Sequence, residues 1–340
     1  TYILWGSIFY TSINIPYGSM ASAISSDPKD RADLSTWRTI GSTLANMVIG
    51  VATPMVAYVV VDGKTVMSGS RMTIIAGVFS ICAILCYIVC FKLTSERVEV
   101  PASNQKISAS AIFKSIFTNK ALLGIIVAAI FVLLSQLTVL SLAGYVYPNV
   151  YGSAAAQSTA SLLGTVVMLV VCAPFASKLS AKFGKKELAM GSSIFSALVW
   201  LVCLIWRPAS VWGFVACYIL ANIGMGFFNT IIWAMITDVI DDAEVRNGVR
   251  EDGTIYSVYS FARKLGQAFS SGLVGALLGI IGYTEATAFD PVVTRGIFNM
   301  ACIAPIIGFV CIVLALAFLY PLNKKKVEEN VAELAARRNK

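Results

Sequence analysis

Apolar runs of near-bilayer length alternate with short polar segments along the whole chain. They fall at 2–24, 40–62, 72–93, 120–143, 156–178, 188–206, 211–236, 254–282 and 297–320. A hydrocarbon core about 30 Å thick takes about 20 apolar residues at about 1.5 Å of helical rise each, and every run is close to that length. The pattern therefore predicts an all-α membrane protein with nine transmembrane helices.

Composition leaves little room for another class. Hydrophobic residues make up 57% of the 340 and charged residues 13%, with a mean hydropathy of +0.78, too apolar for a soluble domain. Lys and Arg collect in cytoplasmic loops, so their distribution orients the spans. Segments 25–39, 94–119, 179–187, 237–253 and 321–340 hold 17 of the 26 basic residues, against four (Lys64, Arg71, Arg207, Arg295) in the alternate segments. The first set is cytoplasmic, as is the C-terminus. The net charge of +8 is spread over short loops with no recognition motif, so nucleic acid is not an expected partner. Nine spans place Thr1 outside, at the start of a helix with no initiator Met, no basic flank and no cleavage signal. The expectation is a chain lacking upstream spans.

The longest internal polar segment, 94–119, divides three spans from six. The predicted domains are a partial N-terminal half at 1–93, a cytoplasmic central linker at 94–119, a six-helix C-terminal half at 120–320 and a charged cytoplasmic tail at 321–340. In the linker, Phe113, Ile116 and Phe117 fit either an interfacial helix or an extension of the next span. The tail reads as a solvated helix that fixes topology, with partner binding as the alternative.

Soluble catalysis finds no support, for the chain has no P-loop, no nucleophile elbow and no histidine. A metal site is not expected, and Cys82, Cys86 and Cys90, spaced by four, read as packing. Polar residues within spans carry the information. In the first run, Tyr10 and Asn14 share a helix face beside Thr11, and Pro16 and Gly18 loosen the helix that follows. Such a break either exposes carbonyls to an ion or substrate or leaves the polar side chains as glue between helices. The cytoplasmic segment after it offers Arg31 and Arg38. The segment after the seventh run offers Asp238, Asp241, Asp242 and Glu244, then Arg246 and Arg250. These charges fit pairing between halves or simple solvation.

Run 254–282 opens GTIYSVYSFARKLGQAF. Tyr256, Ser260, Lys264, Gln267 and Ser271 follow helical spacing and form one polar face, the mark of a cavity-lining helix. Arg263 points about 100° away and either meets another helix or snorkels. Charges at this depth are costly and functional, yet no Asp or Glu lies inside any of the nine runs.

Together, YILWGSIFYTSINIPYGSM, DPKDRADLSTWR and DVIDDAEVRNGVREDGTIYSVYSFARKLGQ followed by LGIIGY resemble the glycoside-pentoside-hexuronide:cation symporter family, the melibiose-permease-like branch of the major facilitator superfamily. The resemblance implies the twelve-helix major facilitator fold, with Thr1 at the start of the family's fourth helix and nine helices present. It implies that Thr11 and Asn14 lie in the helix serving cation and sugar, Arg38 near the sugar path and Lys264 in the central cavity. It matches Arg31, Asp238, Asp241 and Arg250 to a cytoplasmic charge lock. Melibiose-type members carry an aspartate where this chain has Asn14, which leaves the coupling ion open between H+ and Na+. They carry a sugar-contacting tryptophan where it has Asn229, so the substrate can differ.

The expected substrate-binding set is Asn14, Arg38, Asn229, Tyr256, Lys264 and Gln267, and the cation-binding set is Tyr10, Thr11, Asn14 and Lys264. The expected activity is cation-coupled symport of a sugar, glycoside, pentoside or hexuronide by alternating access, performed by a monomer in the cell membrane with no cofactor. Carriage of lysolipids or other amphiphiles is the alternative within transport. Outside transport, the alternative is an integral-membrane enzyme or scaffold.

Overall fold

The computed structural model describes residues 4, 9, 10, 12, 13, 17, 24, 28–61, 64–95, 119–248 and 252–338. The chain divides into two compact units, one of residues 1–59 and 67–106, the other of residues 60–66 and 107–340.

The first unit contains α1, Pro28–Ala57, and α2, Gly69–Leu93. Helix α1 starts within the polar segment PKDRADLSTWR, well before the apolar run, because nothing in that segment breaks a helix. It also ends sooner than the run. Residues Tyr58–Val61 (β1) pair with Lys64–Met67 (β2) as a hairpin, where the hydrophobic pattern carries the helix to 62 and predicts α structure alone. The β-branched Val59–Val61 run, followed in sequence by Asp62-Gly63, is the composition that tight hairpins favour. Thr65, which like Gly152 belongs to the second unit, donates its hydroxyl to the Gly152 carbonyl at 2.9 Å. Helix α2 is apolar on every face and buries none of its side chains, which suits a helix bathed in lipid. Cys82 and Cys86 on it are exposed, not packed, and Cys90 is half-buried.

The second unit holds α3 (Lys120–Tyr145), α4 (Ala154–Val167), α5 (Ala173–Phe183), α6 (Lys185–Trp206), α7 (Val211–Asn247), α8 (Asp252–Ile280), α9 (Pro291–Phe318) and α10 (Lys324–Arg338). Its starts are capped where the sequence supplies short polar side chains. Asn119 accepts from the Leu122 amide, Ser153 from Ala156 and Asp290 from Val292. The run 156–178 is interrupted by a π-helical turn, Met168–Cys172, just before Pro174, whose missing N–H cannot continue the α ladder. A second π turn, Val146–Val150, surrounds Pro148 and extends α3.

Six helices of the described residues are long and apolar enough to cross a membrane: α2, α3 with its turn, α4 with its turn, α6, α7 and α9. Helix α8 has 29 residues but is diluted by Arg263, Lys264, Gln267 and its serines, so apolarity alone does not mark it. Run 2–24 falls mostly outside the described residues.

Helices α3, α6, α7, α8 and α9 enclose one core, with Leu122, Ile125, Phe228, Ile232, Phe309 and Ile312 among its fully buried side chains. Membrane helices pack through small residues. At Gly224 of α7 an added Cβ would meet the Ser192 carbonyl of α6 and the Ser196 hydroxyl, so the two backbones approach only because no side chain intervenes. Near the other end of the unit Phe214 stacks among Tyr147, Trp200 and Phe298.

The tail departs from the solvated reading. Helix α10 lies against α7, with Asn330 and Leu334 buried and Val327 packed on the core. Val327, Asn330 and Leu334 recur at helical spacing and form a narrow face among the charges. Arg337 adds hydrogen bonds to the Glu244 and Val245 carbonyls at the C-terminal end of α7.

Candidate functional site

Helix α8 is two-sided. Ile255, Val258, Tyr259, Ala262 and Ser270 are buried within the unit. Gly266 lets α8 press on α3, since a Cβ there would lie 2.8 Å from the Ile130 carbonyl oxygen. Ser270 is 3.2 Å from the Thr138 hydroxyl of α3. The polar residues occupy the other side. Tyr256, Ser260, Lys264 and Ser271 are exposed, and Gln267 is half-buried. The face drawn from sequence spacing is therefore a continuous polar strip turned away from the packed core of its unit.

Arg263 sits at the border of the two sides and reaches α7. Its guanidinium lies 5.6 Å from the Trp233 ring centroid and 5.8 Å from that of Tyr259, and donates to the Tyr259 hydroxyl at 3.3 Å. The two rings meet edge to face at 5.4 Å. Of the two possibilities for Arg263, the structure shows contact with another helix. Nothing in the sequence pairs Trp233 with Arg263, thirty residues apart. One turn from Trp233 on α7, Asn229 is half-buried and donates to Gln136 of α3 at 3.4 Å. Gln136 and Ser135, with Tyr218 and Asn222 of α7, line a cavity of about 100 Å³ that Phe309 and Met225 close.

A second polar cluster occupies the end of α7. Asp238, 5% exposed, receives a 2.5 Å ion pair from Lys185 at the start of α6. Asp242, 1% exposed, is paired with Arg246 at 2.8 Å and accepts from Asn330 of α10 at 3.1 Å. Asp241 is half-buried beside them. Lys186 donates to the Tyr320 carbonyl at 2.6 Å. Burial first, then the nearby carboxylates of Asp238, Asp242 and Glu187, holds the Tyr320 phenol well above its ordinary pKa. It therefore stays a donor, to the Met235 carbonyl at 3.4 Å. Lys185, Asn330 and Tyr320 are not among the sequence candidates; the basic segment 179–187 signals Lys185 alone.

The remaining candidates are placed only in part. Thr11, Asn14 and Arg250 lie outside the described residues, as do the side chains of Arg31 and Arg38 on α1. Tyr10 is 50% exposed.

Six long apolar helices among the described residues mark a multi-pass membrane protein, and α8 beside them carries a polar strip with a lysine. The chain belongs to the MFS/sugar transport protein family, whose model matches residues 1–324. It is similar to the uncharacterized symporter YjmB of Bacillus subtilis, 31% identical over 98% of this chain and 71% of that protein. It is similar to the glucuronide carrier protein homolog of Escherichia coli, at 28% identity over 97% of this chain and 71% of that one. The isoprimeverose transporter of Lactiplantibacillus pentosus is 25% identical, over 95% and 69% respectively. The resemblance to the glycoside-pentoside-hexuronide:cation symporters stands on these relatives as well as on the motifs.

Proposed function

We propose that the protein is a secondary active transporter that carries a sugar or glycoside across the cell membrane by cation-coupled symport. The polar strip of α8, with Lys264 in a helix otherwise built to pack, is the observation that carries this reading. A lysine at mid-span costs several kcal/mol unless it faces water or a partner, so its retention implies use. Relatives named as a glucuronide carrier homolog and an isoprimeverose transporter support a sugar-like substrate.

In this reading Asn229, Tyr256, Lys264 and Gln267, with Asn14 and Arg38, bind sugar, and Tyr10, Thr11, Asn14 and Lys264 serve the coupling ion, H+ or Na+. The transporter acts as a monomer, with segment 120–320 as its C-terminal six-helix half and the C-terminus in the cytoplasm. Alternating access requires ion and sugar to prefer the same conformation, since each shifts the equilibrium only through differential affinity. Arg31, Asp241 and Arg250 then make and break the cytoplasmic contacts that accompany it, while Asp238, already paired with Lys185, braces that end of α7.

Replacing Lys264 by Gln in the full-length protein tests the assignment. Ion-driven sugar accumulation in membrane vesicles should be lost at an unchanged level of membrane insertion. Normal accumulation by that variant would remove Lys264 from the mechanism.

A further inference from the structure

We infer that the transported molecule carries a negative charge, a carboxylate or sulfonate on the sugar or glycoside, and that Arg263 is the residue that selects for it. The inference deepens the transport reading and rests on it.

Arg263 lies nine residues beyond Thr254 in α8, roughly 14 Å along a helix that rises about 1.5 Å per residue. That distance exceeds the reach of its own side chain, so the guanidinium cannot snorkel to the polar end of the helix. The structure keeps it against α7, with Trp233 and Tyr259 supplying ring contacts. Two aromatic contacts and the bond to the Tyr259 hydroxyl fix the plane of the fork. Among the described residues they leave most of its N–H edge unused, since a guanidinium has five donors and makes one hydrogen bond there.

Among the described residues no carboxylate pairs with Arg263. Those that are buried, Asp238 and Asp242, are already engaged at the end of α7. The group is thus an oriented, permanently charged fork with no described counter-charge, at the edge of the polar strip. Arg263 is itself half-buried and Trp233, which holds it, is 49% exposed, so this edge is partly open. A neutral hydroxyl would accept one bond and leave the charge uncompensated. A carboxylate or sulfonate accepts two parallel bonds and neutralises it. The flanking Trp233 ring also offers a flat apolar surface for a pyranose face.

The test compares two substrates that differ only at C6, labelled methyl β-glucuronide and methyl β-glucoside, in vesicles carrying the full-length protein. The wild type should favour the glucuronide at least about tenfold, the discrimination of one charge-assisted hydrogen bond. Arg263→Gln should lower the glucuronide-to-glucoside ratio by about 10- to 100-fold. Arg263→Lys, which keeps charge without the fork, should fall between them, and Trp233→Leu should also lower the ratio. Immunoblotting of the vesicles normalises each rate to the amount inserted. Uptake of the glucoside by the wild type, with a ratio near one or unmoved by Arg263→Gln, would overturn the inference and leave sugar transport standing. Accumulation of no sugar at all would overturn the transport reading and the inference with it.

Discussion

Two clusters of charge in the second unit solve the same problem differently. At the end of α7, Asp238 and Asp242 are almost fully buried and each has a cationic partner, Lys185 and Arg246. Halfway along α8, Arg263 is half-buried and held by two aromatic rings, with no carboxylate from the described residues. The first arrangement is closed, because Asn330 of α10 adds a hydrogen bond to Asp242 and the tail helix packs over that end of α7. The second is open. A neutralised pair that is sealed by packing serves architecture, whereas an oriented charge left for something else serves a ligand. Removing partners should therefore damage stability in the first cluster and selectivity in the second.

The largest stability effect is expected from Lys185→Met, which leaves Asp238 buried and unpaired. It should cost about 3 kcal/mol, visible as a lower Tm of the purified full-length protein. Lys185→Met with Asp238→Leu should recover most of that loss, because replacing both partners removes the uncompensated charge. Failure of the double variant to recover would mean that the pair is not what closes this end. Leu334→Ala in α10 should come next, at about 2 kcal/mol for a buried leucine, and proteolysis of the tail should speed up with it. A tail that floats in solvent would show neither effect.

Gly266→Ala should cost about 1–2 kcal/mol, because its new Cβ has the Ile130 carbonyl oxygen in its way and α8 must retreat from α3. Trp233→Leu should change stability least, by about 1 kcal/mol, measured by the same thermal scan. Its consequence is predicted to appear in substrate preference instead. A large loss of stability from Trp233→Leu with unchanged preference would place Arg263 with the architectural charges.

Much of the fold was legible because the bilayer enforces a single length scale. Helices α2, α3, α6, α7 and α9 coincide with apolar runs to within a few residues at most ends. The polar strip of α8 was legible for a related reason, since helical spacing alone puts Tyr256, Ser260, Lys264 and Gln267 together. What hydropathy misjudged were places where local chemistry outweighs it. The hairpin at 58–67 follows from β-branched residues before Asp62-Gly63, which a hydropathy window counts simply as apolar. Helix α7 continues to Asn247 because Asp238 and Asp242 find partners, so polar residues did not end it.

The docking of α10 was hidden by the tail's abundance of charge, which masks a face only three residues wide. The aromatic seat of Arg263 and the Lys185–Asp238 pair join residues 30 and 53 positions apart, and no periodicity in one chain reveals such contacts.

The most direct test of the account is accumulation of labelled glycosides, pentosides and uronides in vesicles of the full-length protein under an imposed proton or sodium gradient. At least one sugar should concentrate above its external level when a gradient is present and equilibrate when the gradient is collapsed. Failure of every sugar to concentrate under either gradient would contradict it.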